Sequence, residues 1–370
     1  MARIAAFEGF YGGSHKQWLD GLVANSDHDI HTFTLSDRFW KWRMHGASVT
    51  LAREFLNSGL EPDLILATDM LDLSVLLALI RRQADRIPVV LYMHENQLTY
   101  PWSATDPDPA LGRDHHYGFI NYTSALVADQ VWFNSQYHMT SFLEALPPFL
   151  GMFPDHQNQG TLEAIREKSR VVPLGIDLQS LGERPVADRN TPPVTLWNHR
   201  WEFDKAPDTF FEMLFLLADQ EVPFQLVVLG TRGEKYPPVF DAARRRLHDR
   251  ILQWGPVESR AEYAGWLHRS HILPVTSIQD FFGVSVAEAM YCNVFPLLPD
   301  RLAYPEHIPA NARHRHLYAD DRDLVGRLRS LLEQGVPAID ARSMIAHYDW
   351  TQCIRNYDTM LNDACKHLNT

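Results

Sequence analysis

The sequence predicts an α/β protein made of two doubly wound, Rossmann-like domains that face each other across a cleft. The chain has 370 residues, which is long for one hydrophobic core. Short apolar runs alternate with amphipathic stretches through both halves, a pattern typical of parallel sheets covered by helices on both faces. A polar segment closed by two prolines, residues 182–193 (GERPVADRNTPP), is predicted to link the halves.

The elements follow in order along each half. In the first half, strands are predicted at 3–7, 31–35, 63–67, 89–93, 130–134 and 171–173, helices at 14–24, 73–82 and 137–146, and a loop at 147–161. In the second half, strands are predicted at 194–198, 224–229, 251–254, 272–274 and 294–298, with helices at 209–218, 238–247, 260–268, 284–292 and 321–334. The predicted domains are therefore 1–181 and 194–348. Residues 349–370 form a C-terminal helical segment that is a candidate to pack back on the first domain.

The composition excludes several classes of protein. The formal net charge of −12 argues against a DNA-coating protein, since affinity for phosphates comes from Lys and Arg, but it leaves room for a local basic groove for one RNA. Three cysteines without metal-ligand spacing indicate reduced thiols. The first residues show no signal-peptide pattern, and no apolar run approaches the roughly 20 residues that span a bilayer. We therefore expect a cytoplasmic protein without a membrane partner.

A glycine turn follows the first predicted strand. Gly12, Gly13 and Ser14 precede a predicted helix, where backbone N–H groups can approach a phosphate. The alternative is a plain tight turn. The segment is neither GxGxxG nor a Walker loop, which disfavours NAD and ATP as ligands.

Two cations follow the first strand of the second half. Arg200 and Lys205 lie where a strand ends, and there they could hold a diphosphate and stabilise it as it leaves. The alternative is a solvated loop in which these cations pair with Glu202 and Asp204.

Two carboxylates flank the start of a later helix. Asp280 is predicted in the loop before this helix, and Glu288 just over one turn into it. Such carboxylates can bind sugar or ribose hydroxyls, while the N–H groups of Gly283 and Val284, next to Phe281, can face an anion. The alternative is a loop aspartate and an ordinary helical salt bridge.

The order and spacing of these three sites resemble the GT-B fold glycosyltransferases of the family-4 type. Further matching features are residues 173–177 (PLGID) and residues 227–230 (VVLG), which end at Gly230. The resemblance implies that Arg200 and Lys205 bind the donor diphosphate, that the first acid contacts the transferred sugar and that Glu288 contacts the donor ribose. The first acid is usually Glu, and this chain has the shorter Asp280.

Five motifs of the first half resemble the tRNA-queuosine α-mannosyltransferases. They are residues 8–16 (EGFYGGSHK), 40–44 (WKWRM), 94–98 (HENQL), 117–122 (YGFINY) and 133–135 (FNS). This resemblance implies transfer of mannose from GDP-mannose, with retention of configuration, to a hydroxyl of the queuosine cyclopentenediol in a tRNA anticodon loop. It also implies that His94 contacts the transferred sugar.

Candidate acceptor residues lie in the same motifs. A predicted loop carrying Trp40, Lys41, Trp42 and Arg43 offers rings and cations for an unstacked base and its phosphates; the alternative is two Trp packed under the loop. The remaining acceptor candidates are polar residues for which a structural role is equally open: Glu95, Asn96, Asn121, Asn134 and Ser135.

No metal and no cofactor beyond the nucleotide sugar are predicted. The carboxylates of Asp106 and Asp108 resemble a metal-binding DxD, but their proline-rich context favours a turn. His115 and His116 lack zinc-ligand spacing and are predicted to lie in a polar loop. Two other functions stay open: a family-4 enzyme acting on a small-molecule, lipid or protein acceptor, and a non-catalytic RNA- or nucleotide-binding protein on the same scaffold.

Overall fold

The computed structural model describes residues 1–183 and 192–366, in two compact units. Unit 1 comprises Met1–Ile176 and Trp350–Thr370, and unit 2 comprises Asp177–Asp349. Most of the predicted linker, residues 184–191, lies outside the described residues. In the part of the chain that is described, no helix combines the length and the apolar character needed to cross a membrane.

Unit 1 contains a six-stranded parallel sheet in the order β2-β1-β3-β4-β5-β6. Its strands are β1 (Arg3–Tyr11), β2 (Asp29–Ser36), β3 (Leu64–Thr68), β4 (Val89–Met93), β5 (Gln130–Phe133) and β6 (Ser169–Val171). Its first six helices are α1 (Gly13–Asn25), α2 (Trp40–Ser58), α3 (Leu73–Ala84), α4 (His115–Val127), α5 (Gln136–Gly151) and α6 (Leu162–Glu167). Strands β3 and β4 are buried along their whole length, because helices cover both faces of the sheet.

Unit 2 repeats this architecture, with a parallel sheet in the order β12-β11-β10-β7-β8-β9. Its strands are β7 (Val194–Trp197), β8 (Gln225–Val228), β9 (Ile251–Trp254), β10 (Ile272–Pro274), β11 (Phe295–Pro299) and β12 (Leu317–Tyr318). Its helices are α7 (Pro207–Asp219), α8 (Val239–Arg246), α9 (Arg260–Arg269), α10 (Val284–Tyr291), α11 (Arg313–His316), α12 (Asp321–Gln334) and α13 (Ala341–Ile345). The predicted fold class, α/β with two doubly wound sheets, is confirmed.

Three predictions of local structure in unit 1 were wrong. The segment from Trp40 to Arg43 is the first turn of α2 and not a loop, because α2 buries an apolar stripe from Met44 to Phe55 at helical spacing. His115 and His116 begin α4 for the same reason. The predicted loop at 147–161 starts late, since α5 continues through Pro147 and Pro148 to Gly151, where Phe149 and Leu150 are buried.

The last helix, α14 (Trp350–Lys366), packs on α1 and belongs to unit 1. The indole N–H of Trp18 donates to the Tyr357 hydroxyl at 3.1 Å, and that hydroxyl donates to the Pro173 carbonyl at 2.7 Å. A Cβ on Gly21 would lie 1.9 Å from the indole nitrogen of Trp350. A glycine is therefore required on α1 where α14 approaches it.

Candidate functional site

The carboxyl ends of β7 and β10, adjacent strands of unit 2, bring the predicted donor residues together. Lys205 follows β7, and Asp280 follows β10. The Lys205 Nζ donates to the Gln279 carbonyl at 2.8 Å and lies 3.3 Å from the Asp280 carboxylate and 3.1 Å from that of Asp204. Parallel strands end at one edge of their sheet, so the fold joins two motifs that are 75 residues apart.

The charges of this cluster are mutually dependent. Burial opposes the charge of Lys205, but the carboxylates of Asp280 and Asp204 outweigh it and raise the lysine pKa. Burial likewise acts against the charged form of Asp280, and Lys205, with weaker contributions from neighbours including Tyr304, still lowers its pKa. Both groups are therefore ionised at neutral pH. A cation held in a buried site with its counterion is well suited to bind phosphate.

Arg200 differs from Lys205 in exposure. Its side chain is about half exposed, and its guanidinium lies 3.3 Å from the Glu202 carboxylate and 4.0 Å from that of Asp204. The local ion pairs that the alternative interpretation expected are thus present. Because the guanidinium and the Glu202 carboxylate are both about half exposed, solvent weakens their attraction, whereas the Asp204 carboxylate is fully buried.

Glu288 lies on α10 and is bound through both carboxylate oxygens. Arg260 Nη1 donates to Oε1 at 2.6 Å, and the Tyr263 hydroxyl donates to Oε2 at 2.8 Å. Asn198, the residue after β7, donates to the Tyr263 hydroxyl at 3.2 Å. The expected helical salt bridge is therefore replaced by a pair between α9 and α10. The sequence did not indicate a role for Arg260 or Tyr263, since neither belongs to a motif that resembles a known family.

The start of α10 has the features expected of an anion site. Gly283 precedes the helix with φ of +95° and, as the N-cap residue, makes no side-chain hydrogen bond to the first turn that Val284 begins. The side chain of Phe281 is buried. Tyr304, which sequence reasoning also missed, packs against Gly283 and donates its hydroxyl to Asp280 at 3.0 Å. These contacts set the position of the loop that carries Asp280.

Gly230, a predicted donor residue, has a tight packing contact. It adopts φ of +90°, and a Cβ at this position would lie 1.9 Å from the His199 carbonyl oxygen. We expect Gly230→Ala to lower the free energy of unfolding by about 2–4 kcal/mol, because it combines backbone strain with a backbone clash. Chemical denaturation measures this change.

Gly233→Ala is the matched control, from the same loop. Its Cβ would have no neighbour nearer than the Lys235 carbonyl oxygen at 3.4 Å. We expect its stability to match that of the wild type. Equal stabilities for the two variants would contradict the packing role of Gly230.

In unit 1, a buried polar cluster lies at the carboxyl edge of β1, β3 and β4. His15 Nδ1 lies 3.1 Å from the Glu8 carboxylate, and the rings of His15 and His94 pack at an interplanar angle of 32° with centroids 4.1 Å apart. The His94 amide donates to Asp69 Oδ1 at 2.7 Å. His94 Nε2 and Asp69 Oδ2 are buried and have no hydrogen-bond partner within 1–183 and 192–366. Two polar atoms are thus available to a substrate hydroxyl at this edge.

Glu8, His15 and His94 are also the one group within the described ranges that could hold a metal. One ligand atom from each lies within 4.8 Å of the others. A bound Zn²⁺ needs ligands at about 2.0–2.2 Å, whereas these two imidazoles stack on each other and Glu8 already engages His15. The contacts thus fit an ion pair better than a metal centre. The absence of a metal stays a prediction.

The protonation of His15 and Asp69 predicts how the free energy of unfolding depends on pH. Burial opposes protonation of His15, but Glu8 outweighs it and raises the His15 pKa to about 9; burial also raises the Asp69 pKa to about 8. Both groups bind protons more tightly in the folded chain, so their stabilising contribution is present at low pH and is lost as pH rises through about 8 and 9. We expect the free energy of unfolding to fall by about 2 kcal/mol per pH unit between pH 7 and 8.

Chemical denaturation at pH 6.5, 7, 8 and 9 tests this expectation. Glu8→Gln removes the carboxylate that holds the His15 proton, so the variant should show a clearly smaller fall over the same range. A wild-type stability that is constant or rises from pH 7 to 9 would contradict the assigned protonation states.

The polar acceptor candidates contact the loops that follow β4 and β5. Asn121 accepts from the Gln97 amide at 2.8 Å, and Asn134 donates to the His94 carbonyl at 2.8 Å. Asn96 accepts from the Leu98 and Thr99 amides, and Ser135 caps α5. Glu95 accepts from the Gln97 side chain at 2.7 Å. The structure thus brings these acceptor candidates beside His94, where they shape the loop.

The predicted RNA-binding segment lies at the start of α2. Trp40 and Lys41 contact other side chains of the protein, whereas Trp42 is exposed. Trp40 packs against Trp102 and Tyr117, and the Lys41 Nζ lies 2.6 Å from the carboxylates of both Asp106 and Asp108. The acidic pair that resembles DxD therefore binds a lysine. Trp42 is 63% exposed, and Arg43 bonds to the Ser36 carbonyl at 3.1 Å.

Gly12, Gly13 and Ser14 lie where α1 begins, as expected. A Cβ on Gly12 would lie 2.0 Å from the Asp37 carboxylate, so this glycine permits close approach of an acidic side chain. Gly13 adopts φ of +51°, with open space around it, and is exposed together with Ser14. Close packing against Asp37 therefore explains the glycine at position 12, and its role in donor binding stays a prediction.

Comparison with known proteins assigns a family to each half of the chain. Residues 3–176 match the family described as tRNA-queuosine alpha-mannosyltransferase N-terminal, and residues 183–348 match glycosyl transferases group 1. The chain is 31% identical over 331 residues to the tRNA-queuosine alpha-mannosyltransferase of Drosophila melanogaster, which covers 85% of this chain and 86% of the relative.

Solved structures share the fold. A sucrose-phosphate synthase from Thermosynechococcus elongatus aligns with a TM-score of 0.72 at 12% identity, over 98% of both chains. HepE from Anabaena, in complex with UDP and glucose, aligns with a TM-score of 0.65 at 15% identity, over 98% of this chain and all of the other. These likenesses establish the GT-B fold, and together with the sequence matches they show that the chain belongs to the tRNA-queuosine α-mannosyltransferase family of glycosyltransferases.

Proposed function

We propose that this glycosyltransferase transfers mannose from GDP-mannose to the cyclopentenediol of queuosine in a tRNA anticodon loop. The observation that carries the proposal is the similarity, over 85% of the chain, to a relative named tRNA-queuosine alpha-mannosyltransferase. With tRNA as the acceptor, we expect the enzyme to act in the cytoplasm.

The donor half of the proposal rests on unit 2. Arg200 and Lys205 bind the diphosphate and stabilise it as the bond to the sugar breaks. Asp280 accepts hydrogen bonds from hydroxyls of the mannose, and Glu288 accepts them from the ribose. Because a buried lysine, an exposed arginine and uncapped N–H groups are all present, the chain needs no metal to neutralise the leaving group.

The acceptor half rests on unit 1. His94 contacts the transferred sugar, and its Nε2 is a buried atom ready for a hydroxyl. Burial holds the His94 pKa well below its usual value, so the ring is neutral at physiological pH. No side chain is assigned as a nucleophile. The acceptor hydroxyl attacks from the side of the leaving group, and a phosphate oxygen takes its proton, so the anomeric configuration is retained.

Radiolabelled transfer tests the proposal. Purified protein is incubated with GDP-[¹⁴C]mannose and tRNA that carries queuosine, beside tRNA with guanine at the same position. We expect label in the first tRNA only. When labelled UDP-galactose or UDP-glucose replaces GDP-mannose, we expect no label in either tRNA. Label in neither tRNA would overturn the proposed acceptor and favour a small-molecule, lipid or protein acceptor. A protein that neither transfers nor hydrolyses any donor would favour a binding role.

A surface at the start of α2 suits single-stranded RNA. The rings of Phe39 and Trp42 are 77% and 63% exposed. Stacking of a base on an aromatic ring contributes about 1–3 kcal/mol, so we expect Trp42→Ala to weaken tRNA binding by about 5- to 100-fold. Fluorescence anisotropy with labelled tRNA measures the change.

Val49→Ala is the matched control for Trp42→Ala. Val49 lies on the same helix and is 57% exposed. It should leave tRNA affinity unchanged, because a small aliphatic side chain offers no ring for stacking. Wild-type affinity in Trp42→Ala would remove this residue from the RNA-binding surface.

A further inference from the structure

His199 is a buried histidine of unit 2 that the catalytic assignment leaves without a role. It is the second residue after β7, precedes Arg200 and is 2% exposed. Its Nδ1 lies 2.9 Å from the Ser285 hydroxyl on α10. Its Nε2 is also buried and has no hydrogen-bond partner among the residues that the structure describes. A buried polar atom without a partner is costly, and such atoms concentrate at functional sites.

The imidazole is held in one orientation. Its ring packs edge-on against Trp197, with centroids 5.3 Å apart, and the Trp197 indole donates to the His199 carbonyl at 2.9 Å. Gly230 approaches the same carbonyl so closely that no other residue fits. With Ser285 on the opposite nitrogen, the ring is fixed at both its backbone and its side chain. Such preorganisation is typical of groups that stabilise charge in an active site.

The surroundings of the ring indicate which ligand it would bind. Burial, together with Lys205, lowers the His199 pKa to about 4, with Asp280 and Asp204 also acting on the ring. The imidazole is therefore neutral at physiological pH. When the Ser285 hydroxyl donates to Nδ1, the proton of the neutral ring resides on Nε2 and makes that atom a donor.

A second buried donor lies in the same cluster. Gln279 Nε2 has no hydrogen-bond partner in the described ranges, and the carbonyl of this residue accepts from Lys205. Two unpaired N–H donors near a buried lysine favour an anion over a neutral hydroxyl. The carboxylate of Asp280 supplies the acceptor that a sugar hydroxyl needs, so the donors remain for phosphate.

We propose that His199 Nε2 donates a hydrogen bond to the β-phosphate of the nucleoside diphosphate donor, which makes His199 a further donor-binding residue beside Lys205. The β-phosphate is the phosphate attached to the sugar, and His199 is near both Lys205 and Asp280. The inference rests on the proposed function in so far as the donor is a nucleotide-diphosphate sugar. It does not depend on the acceptor.

Two substitutions distinguish the roles of the two nitrogens of the His199 ring. His199→Asn places an amide where Nδ1 was and keeps the contact with Ser285. His199→Gln places its amide nitrogen where Nε2 was. Isothermal calorimetry measures binding of GDP, UDP and GMP to the wild type and to both variants, and thermal unfolding monitors the fold.

We expect His199→Asn to weaken binding of GDP by about 10- to 100-fold, the effect of losing one hydrogen bond to a charged group, and to leave GMP binding within about twofold. His199→Gln should restore most of the GDP affinity. A purely structural role would weaken GDP and GMP alike, and Gln would not rescue it; that pattern, or wild-type GDP affinity in His199→Asn, would overturn the inference.

If His199→Asn does not fold, NMR of the wild type with ¹⁵N-labelled histidine tests the same inference. The Nε2–H resonance that is absent from His199→Gln should shift with GDP and not with GMP, and an unchanged resonance would overturn the inference. Should the wild type bind UDP in place of GDP, the proposed donor is wrong, and the variants are compared with UDP and UMP. A wild type that binds no nucleoside diphosphate would overturn both.

Discussion

Replacement of Lys205 by methionine is expected to lower kcat/KM by about a thousandfold. The Nζ lies between the carboxylates of Asp204 and Asp280 and would contact the leaving diphosphate, and removal of one group that stabilises charge in a transition state costs about 10²- to 10³-fold. The same change leaves two buried carboxylates without their cation, so stability should fall by about 3 kcal/mol. Steady-state kinetics and chemical denaturation measure the two effects.

Arg200→Met is expected to lower activity with little effect on stability. Arg200 and the Glu202 carboxylate beside it are both about half exposed, so we expect removal of Arg200 to change the free energy of unfolding by less than about 1 kcal/mol and to lower kcat/KM by about a hundredfold. Glu202→Gln, which removes only the surface partner of Arg200, is the matched control and should retain near-normal activity. Near-normal activity in both Arg200→Met and Lys205→Met would overturn the assigned donor site.

Asp280→Asn is expected to lower kcat/KM by about a hundredfold with little change in the fold. Lys205 and the Tyr304 hydroxyl hold one carboxylate oxygen at 3.3 and 3.0 Å. Because Lys205 keeps the pKa of Asp280 low, the carboxylate is a charged acceptor for sugar hydroxyls, and an amide of the same shape loses that charge. Kinetics with varied donor concentration measure the loss.

Tyr304→Phe is the control for Asp280→Asn. It removes the hydrogen bond to Asp280 and keeps the carboxylate, so its activity should stay within about tenfold of the wild type. If Asp280→Asn is as active as Tyr304→Phe, Asp280 positions the loop and does not contact the sugar.

The contact with Tyr304 also bears on the Asp found where related enzymes usually have Glu. The Tyr304 side chain is fully buried, and its hydroxyl lies against the Asp280 carboxylate. An additional methylene would carry the carboxylate into that hydroxyl. The shorter acid thus fits a pocket that Tyr304 partly fills.

The sequence by itself determined the class of the fold and selected candidates for the donor site. Buried parallel strands are continuous apolar runs, so most were visible without the structure. Arg200, Lys205, Asp280 and Glu288 were selected because they follow strand ends or flank a helix start, which are local features, and the family resemblance supplied their expected roles. Helix α2 (Trp40–Ser58) was missed along its whole length, and no capping side chain after Phe39 marks its start.

Only the tertiary structure decided which polar groups are available and which are engaged. Lys41 was predicted to bind RNA, yet two carboxylates more than 60 residues away hold it. Burial and charged neighbours on other elements set the pKa values of His199, His15, Asp69 and His94. Burial and through-space charge depend on contacts between distant segments, and no local pattern in the sequence records them.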